Sequence, residues 1–338
     1  MKGKSISRAT SGKLLLGVDI GGTKVVAGLA DARGKIVLTA RAPMAARGTP
    51  EKGLDSVFAA LDAVFRDPLT RRVRRIGVSV PGWVDSARGV LTRAANIPCW
   101  RSFPLARRIE RRYRMPVFIG NDANLAALAE AVWGAGRGYR SVFYVTLGTG
   151  VGTGIVLDGR VYSGRTGAAS EGGHVSIDFR GPLCGCGKRG CIETYISGTA
   201  IARCARTRLR SPAVRSSLLF RLSQGKISSV TTEIVARAAA RRDSLALEIL
   251  HESADRFAIW LGNMVDLLEP DVIVVGGGMG KLMLSFSPRI RRALGSWSVS
   301  PRHREIPIVA ARYGAESALA GAASLGLEEF RSAGEGRP

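Results

Sequence analysis

The sequence predicts an α/β protein with two similar halves. Short apolar runs that end at glycine or proline alternate with longer stretches of helical pattern, which is the order typical of α/β folds. The opening arrangement of strand, glycine-rich turn and strand occurs twice, because Val18 and Gly21 are followed 127 positions later by Val145 and Gly148. A chain of 338 residues also exceeds the usual size of one hydrophobic core, so two domains are expected.

The first half begins with closely spaced strands and a helix. Thr49, Pro50 and Glu51 supply an N-cap, a first-position proline and a first-turn acid, so we expect a helix from there to about Arg66. A second helix is expected over Ala123–Trp133. The strands expected in this half are Leu14–Ile20, Val25–Ala30, Lys35–Ala42, Arg75–Val80 and Pro116–Ile119.

The second half repeats the strand pair and then changes character. A glycine- and cysteine-rich loop covers Gly164–Cys191, and Ser211–Ser229 is polar and loop-like. The helices expected here are Ser197–Leu209, Thr231–Leu268 and Ala315–Leu325. The strands expected here are Ser141–Leu147, Thr153–Leu157, Asp271–Val275 and Ile306–Ala310. Residues 1–12 and 331–338 are expected to be disordered tails.

The chain is strongly basic, with 50 Lys and Arg against 27 Asp and Glu and a net charge of +23. Arginine clusters at Arg101–Arg114 and Arg203–Arg215 would suit nucleic acid or another polyanion. However, arginine outnumbers lysine by 41 to nine throughout the chain, which indicates a general compositional bias on solvated faces. We therefore do not expect nucleic acid as a partner.

Hydropathy and cysteine usage indicate a cytoplasmic protein without a membrane partner. No apolar run approaches the roughly 18 residues that a membrane-spanning helix needs. The basic N-terminus is followed by the short apolar run Leu14–Leu16, which is too short for a secretory signal. Three of the five cysteines lie within eight residues, which fits a metal site in a reducing compartment better than disulfide bonds.

Two glycine-rich turns have the composition of phosphate-binding loops. Glycine lets backbone N–H groups approach a phosphate closely, and a threonine hydroxyl adds a donor. A simple hairpin turn would explain either one alone, but the pair favours nucleotide binding. Asp19, before the first turn, is a candidate for the water shell of Mg²⁺. The turn residues are Gly21, Gly22, Thr23 and Lys24 in the first half and Gly148, Thr149, Gly150 and Gly152 in the second.

Two other segments follow the carboxyl ends of strands. Gly277 and Gly278 stand where ligands sit in open α/β sheets, although tight strand–helix packing explains them equally well. Asn121 and Asp122 end another strand, where the carboxylate could accept a proton from a hydroxyl that the amide positions. Asp122 is also a candidate N-cap for the helix that follows.

A metal site is the most specific prediction. His174 precedes Cys184, Cys186 and Cys191 at short, glycine-punctuated spacing, which matches a closed tetrahedral Cys₃His site for structural zinc. Two acids, Glu171 and Glu193, flank this segment. Carboxylates suit hydroxyl-rich ligands, while two ordinary surface acids remain the alternative.

Five segments occur in the order found in one known family. On these segments, spread over residues 14–327, the chain resembles the ROK family of repressors and sugar kinases, and its bacterial glucokinase-like members most closely. The segments are Asp19–Lys24; Val80–Asp85 with Gly89, Asn96 and Trp100; Gly120–Asn124; Leu147–Gly152; and Glu171–His174 with Cys184–Glu193.

The resemblance implies a two-domain, actin/hexokinase-like α/β fold of the ribonuclease H type, with an interdomain cleft and a zinc-bound loop. Residues 13–125 and 313–330 would form a small N-terminal domain. Residues 126–312 would form a large C-terminal domain that carries the zinc loop and a helical insert. Members of the family are commonly homodimers or homotetramers, and we expect the same here.

The resemblance also implies transfer of the γ-phosphate of ATP to the 6-hydroxyl of a hexose, glucose above all, with Asp122 as the catalytic base. His174 would bind zinc through one ring nitrogen and sugar through the other. The implied sugar-binding residues are Gly82, Asn96, Asn121, Asp122, Glu171, His174 and Glu193. The implied residues for ATP and its Mg²⁺ are Asp19, Gly21, Gly22, Thr23, Lys24, Gly148, Thr149, Gly150, Gly152, Gly277 and Gly278.

Other members of the family leave alternatives open. N-acetylmannosamine kinases share nearly all these residues, whereas polyphosphate-dependent glucokinases usually depart from the Asp19–Lys24 pattern. The segment 169–171 (Ala-Ser-Glu) differs from the His-Pro-Glu of fructokinases and from the Gly-Glu-Ile-Gly-His run of glucokinases, so glucose is favoured without being fixed. Repressors of the family carry a winged helix-turn-helix before the first glycine-rich turn. Only 18 residues precede Asp19, so we expect an enzyme.

Overall fold

A computed structural model describes residues 13–327 of the chain. The tails expected at 1–12 and 331–338 lie outside these residues. The described part divides into two compact units, with residues 13–133, 163–168 and 316–327 in the first and residues 134–162 and 169–315 in the second. Among residues 13–327, no helix has the length and hydropathy needed to cross a bilayer.

The first unit is based on a five-stranded mixed sheet and a small antiparallel one. The strands are β1 (Leu14–Ile20), β2 (Lys24–Asp31), β3 (Ile36–Pro43), β4 (Ile76–Val80), β5 (Trp83–Asp85), β6 (Val90–Arg93), β7 (Arg101–Phe103) and β8 (Val117–Asn121). The large sheet has the order β3-β2-β1-β4-β8, and the small one the order β5-β6-β7. β1 pairs antiparallel with β2 and parallel with β4. The carboxyl ends of β1, β4 and β8 therefore share one edge of the sheet.

Three helices of this unit are α1 (Pro50–Phe65), α2 (Leu105–Tyr113) and α3 (Asp122–Val132). The predicted start of α1 is confirmed, because the Thr49 hydroxyl accepts a hydrogen bond from the N–H of Lys52 at 3.3 Å. The prediction of Asp122 as an N-cap is wrong. Asn121 caps α3, since its Oδ1 accepts from the N–H groups of Ala123 and Asn124, and the helix begins at Asp122.

The second unit repeats the strand plan of the first. Its strands are β9 (Ser141–Leu147), β10 (Val151–Leu157), β11 (Arg160–Val161), β12 (Val272–Gly276) and β13 (Ile308–Ala310). They form one sheet in the order β11-β10-β9-β12-β13. β9 begins and ends 127 residues after β1, so the predicted repeat is confirmed at the level of strands.

The helices of the second unit are α4 (Glu193–Ile196), α5 (Gly198–Arg208), α6 (Leu218–Leu222), α7 (Thr232–Ala240), α8 (Ser244–Leu268), α9 (Gly280–Leu284) and α10 (Ser287–Leu294). The single helix expected over Thr231–Leu268 is wrong. Arg242 has a φ of +61°, which interrupts the helix, and Asp243 caps α8 by accepting from the N–H of Ala246. The expected loop at 211–229 also contains α6.

The last helix, α11 (Ser317–Ser324), packs on the first unit. Gly17 and Gly77 of the sheet make this possible, because a side chain at either position would meet the α11 backbone. An ideal Cβ on Gly17 would lie 2.5 Å from the carbonyl oxygen of Leu319. The end of the described chain therefore belongs to the unit with which it began.

Candidate active site

The first glycine-rich turn joins β1 to β2 in the first unit. The N–H of Gly21 donates to the carbonyl of Lys24 at 2.9 Å, which closes the turn. Thr23 and Lys24 are exposed. Gly22 lies against the loop that carries Asn96, because an ideal Cβ on Gly22 would be 2.9 Å from the Asn96 carbonyl oxygen. The fold thus places an exposed, predicted sugar contact beside a predicted phosphate turn.

Asp19 lies at the carboxyl end of β1, next to this turn. The Ser79 hydroxyl of β4 donates to its Oδ1 at 3.1 Å. Burial raises the pKa of Asp19 to about 6; the Ser79 hydrogen bond opposes this shift, and the nearby Asp122 carboxylate adds to it. A cation would relieve both the burial cost and the repulsion, so these two carboxylates fit the oxygen-ligand preference of Mg²⁺.

Asp122 is held at the start of α3, where β8 ends. Its Oδ1 accepts from the N–H of Ala123 at 2.9 Å, and burial raises the pKa of its carboxyl above the ordinary value. The Asn121 side chain is fixed in turn, because its Nδ2 donates to the Gly82 carbonyl at 3.0 Å. Gly82 has a φ of +92°, and a side chain there would collide with the backbone of Arg93 and Ala94.

The second glycine-rich turn joins β9 to β10 in the second unit. The turn is shorter than the predicted loop Gly148–Gly152. The N–H of Gly148 donates to the carbonyl of Gly150 at 3.0 Å and closes the turn over these residues. Gly152 lies within β10, paired with Thr146. The turn is fastened to the start of α5, because the Gly148 carbonyl accepts from the Gly198 N–H at 2.8 Å. These contacts hold the loop in one conformation.

A pocket of about 570 Å³ opens beside this turn. Its size is that of a small-ligand site, and apolar side chains share its wall with polar ones. The Thr199 hydroxyl donates to the Thr149 carbonyl at 2.8 Å. The Arg206 guanidinium donates to the carbonyl of Val230, the residue that precedes the pocket segment 231–233. The pocket is lined by Gly148, Thr149, Gly198, Thr199, Ala202, Arg206, Thr231, Thr232, Glu233, Ala236, Gly278, Met279 and Leu282.

Most of this pocket was missed from the sequence. Gly148, Thr149 and Gly278 were predicted to bind nucleotide, and the structure brings them together. Gly277 instead packs on β9, because it has a φ of +81° and an ideal Cβ would lie 2.6 Å from the Leu147 nitrogen. Thr199 comes from α5, Thr231 caps α7, and Thr232 and Glu233 belong to α7. Both helices were expected from the sequence, but their residues were not assigned to a site. An N-cap signal at Thr231, with Glu233 in the first helical turn, was available.

Glu171 and His174 lie in one short helical turn of the second unit. The Glu171 Oε2 is 3.9 Å from the His174 Nε2, and both side chains are partly exposed. The other ring nitrogen of His174, Nδ1, lies 3.6 Å from the Cys184 Sγ. The imidazole therefore has one nitrogen toward the cysteines and one toward the carboxylate. This arrangement would let His174 bind a metal through one nitrogen and a sugar through the other.

The predicted zinc ligands converge in the second unit. The ligand atoms of His174, Cys184, Cys186 and Cys191 all lie within 4.8 Å of one another. The Cys186 and Cys191 sulfurs are 3.6 Å apart. Tetrahedral zinc with bonds of about 2.0–2.3 Å requires separations of this size, so the residues fit the metal.

The Glu193 carboxylate lies between the second glycine-rich turn and the cysteine loop. Its Oε2 accepts from the Val151 N–H at 2.9 Å, next to the Gly148–Gly150 turn, while its Oε1 lies 3.8 Å from the Cys184 Sγ. The sequence indicated a sugar ligand at this position. The structure adds a contact that ties the glycine turn to the cysteine loop through one carboxylate.

Comparison with known proteins gives consistent results. The sequence profile of the ROK family matches residues 15–329. The glucokinase of Streptomyces coelicolor is 35% identical over 93% of this chain and 98% of its own length. An N-acetylmannosamine kinase of Escherichia coli O7:K1 is 30% identical over 93% of this chain and 98% of its own length.

A solved structure shows the same fold. The ROK family glucokinase of Streptomyces griseus, crystallised with glucose and AMPPNP, superimposes with a TM-score of 0.77. It is 35% identical, and the match covers 92% of this chain and 98% of that one. The mixed α/β, actin-like fold expected from the sequence is therefore confirmed.

Proposed function

Because this chain belongs to the ROK family and is one of its ATP-dependent sugar kinases, we propose that it phosphorylates the 6-hydroxyl of glucose. The observation that carries this proposal is the Asp122 carboxylate, which the Ala123 N–H fixes where β8 ends, beside the capping residue Asn121. The relatives named glucokinase support glucose as the acceptor.

Asp122 would act as the general base. Its carboxylate would accept the proton of the 6-hydroxyl as the oxygen attacks the γ-phosphate, while the Asn121 amide keeps the hydroxyl in position. The hydrogen bond from the Ala123 N–H holds one carboxylate oxygen, Oδ1, in place. Phosphoryl transfer needs little covalent help, so orientation and charge stabilisation would supply most of the rate.

The nucleotide would occupy the pocket of the second unit. Backbone donors of the Gly148–Gly150 turn suit the phosphates, and the apolar wall of Ala202, Ala236 and Leu282 suits a flat base. Glu233 is exposed at the same pocket and could accept hydrogen bonds from the nucleoside. In the first unit, the Gly21–Lys24 turn is a proposed set of phosphate donors, and Asp19 would hold the water shell of Mg²⁺, which neutralises phosphate charge when bound.

Six residues, three in each unit, are the proposed contacts for the sugar hydroxyls. Asn96, Asn121 and Asp122 would contribute from the first, and Glu171, His174 and Glu193 from the second. Zinc would be structural, since the four protein ligands fill a tetrahedral shell and leave no open position for substrate.

N-acetylmannosamine is the second candidate acceptor, favoured by the relative of that name. A coupled ADP-release assay decides between the two. The panel consists of glucose, mannose, glucosamine, N-acetylglucosamine, N-acetylmannosamine and fructose, each with ATP as donor. Polyphosphate releases no ADP, so with that donor the sugar phosphate formed is measured directly. The proposal predicts the highest kcat/KM for glucose with ATP. A higher value for N-acetylmannosamine would replace glucose as the substrate and leave the assignment as a kinase intact.

A further inference from the structure

The turn Glu171–His174 carries two of the proposed sugar contacts. Its backbone is held by residues that are not themselves proposed sugar contacts. Two buried side chains do this, Thr153 of β10 and Trp260 of α8. Thr153 is 3% exposed and Trp260 is 0% exposed. Neither was among the predicted site residues.

The Thr153 hydroxyl bridges the residues on either side of Glu171. It accepts from the N–H of Gly172 at 2.8 Å, and it donates to the carbonyl of Ser170. One side-chain oxygen therefore fixes the peptide before Glu171 and the peptide after it. Ser170 has a φ of +64°, a conformation that a non-glycine residue adopts only when neighbouring contacts stabilise it.

Trp260 holds the same turn from its other side. The indole Nε1–H donates to the Gly172 carbonyl at 3.0 Å. Both backbone groups of Gly172 are thus bonded to buried side chains. An ideal Cβ on Gly172 would lie 2.8 Å from the Thr153 Oγ1 and 3.2 Å from the Trp260 ring, so the two side chains occupy the space that a side chain at 172 would need.

We propose that Thr153 and Trp260 are positioning residues for the sugar, and that they act by fixing the Glu171 carboxylate beside His174. This inference rests on the proposed function, because it assigns the turn a role in sugar binding. The Glu171 Oε2 and His174 Nε2 atoms are 3.9 Å apart, so a shift in the backbone of the turn would displace both side chains. A backbone shift of about 1 Å is enough to misalign groups that must bind one substrate.

Valine at 153 isolates this effect, since it keeps the shape of threonine and loses both hydrogen bonds. For Thr153→Val we expect the KM for glucose to rise about tenfold, with the KM for ATP within about twofold of wild type. Thr153→Ser, which keeps the hydroxyl, should restore most of the glucose affinity. Hydrogen exchange over residues 170–174 should be faster in the valine variant, because the Gly172 N–H loses its acceptor.

Thr70→Val is the matched control. Thr70 is a buried threonine of the first unit whose hydroxyl is likewise directed at backbone carbonyls, those of Phe65 and Asp67. It should lose a comparable amount of stability and keep the wild-type KM for glucose. Trp260→Phe provides a second variant of the turn if Thr153→Val folds poorly, and it should raise the same KM.

Two results would overturn the inference. One is an equal rise in both KM values for Thr153→Val or Trp260→Phe, and the other is an unchanged KM for glucose despite faster exchange at residues 170–174. Wild-type protein that phosphorylates no hexose would instead contradict the proposed function. In that case, the exchange of residues 170–174 in Thr153→Val against Thr70→Val still decides whether the hydroxyl holds the turn.

Discussion

Asp122 has the two properties that a general base needs, a fixed position and a pKa displaced from its ordinary value. Asp122→Asn keeps the shape and removes the proton acceptor. We expect phosphorylation of glucose to fall by about 10³-fold, while the Kd for glucose changes little. The coupled assay measures the first quantity and calorimetric titration the second.

Asp55→Asn is the control for this variant, because Asp55 is an exposed acid on α1 of the same unit. It should behave as wild type in both measurements. Turnover near the wild-type rate in Asp122→Asn would remove Asp122 as the base.

Asp19 should make stability depend on pH. Its pKa rises from 3.8 to about 6 on folding, so the folded state favours the protonated carboxyl. The resulting stabilisation is fully present below pH 3.8 and is lost as the pH rises through about 6. Asp19→Asn imitates the protonated form, so its free energy of unfolding at pH 7.5 should exceed that of wild type by about 3 kcal/mol.

Thermal unfolding without nucleotide or Mg²⁺ measures this effect, because a bound cation would remove it. The difference between Asp19→Asn and wild type should shrink toward pH 4. An equal difference at both pH values would show that the charge of Asp19 is not its cause.

At this scale, the chemistry of single residues was easier to predict than their partners. The sequence indicates that Asn121 and Asp122 follow a strand, but not which of them caps the helix. Both side chains can accept from backbone N–H groups, and the conformation of residue 121 decides. Glu193 shows the same limit, since its contact with the Val151 N–H joins positions 42 apart in the chain.

Among the elements, the cysteine loop makes the most direct prediction. Elemental analysis should find about one zinc per chain. Cys191→Ser, which removes a buried candidate ligand, should lose the metal and raise the KM for glucose, because His174 belongs to both the candidate metal site and the proposed sugar site.

Cys204→Ser is the control, since Cys204 is a free cysteine outside the His174, Cys184, Cys186 and Cys191 set. It should retain zinc. A metal-free wild-type protein that is fully folded and active would contradict the assignment of the cluster.

The elements themselves were predictable where local signals agree. The hairpin β1–β2 has an apolar run, a double glycine and a second apolar run, and the structure follows that pattern. The separation of α7 from α8 was not predictable, because the two helices share an apolar periodicity that hides the turn between them. The proposed nucleotide pocket draws residues from α5 and α7, and these were missed because side chains of separate helices meet only in the folded chain.

For the whole molecule, the charge of +23 predicts how the protein should behave toward DNA. Attraction to phosphates through solvated arginines is independent of sequence and falls steeply with salt. We expect any retention of duplex DNA in a gel-shift assay to disappear between about 50 and 200 mM salt, with no preference among sequences. Salt-resistant, sequence-selective binding would instead indicate a regulator.

The division into two units also belongs to this scale. Composition and the recurring turn predicted two halves, and the sheets β3-β2-β1-β4-β8 and β11-β10-β9-β12-β13 bear this out. Only the family resemblance, which assigns residues 313–330 to the N-terminal domain, led us to expect the return of α11 to the first unit; local sequence did not. This return depends on the close approach that Gly17 and Gly77 allow, which is a property of the packed backbone.

The matching strand orders carry an evolutionary consequence. Two sheets with the same connectivity, whose first strands are offset by a constant 127 residues, indicate tandem duplication of an ancestral half-length gene.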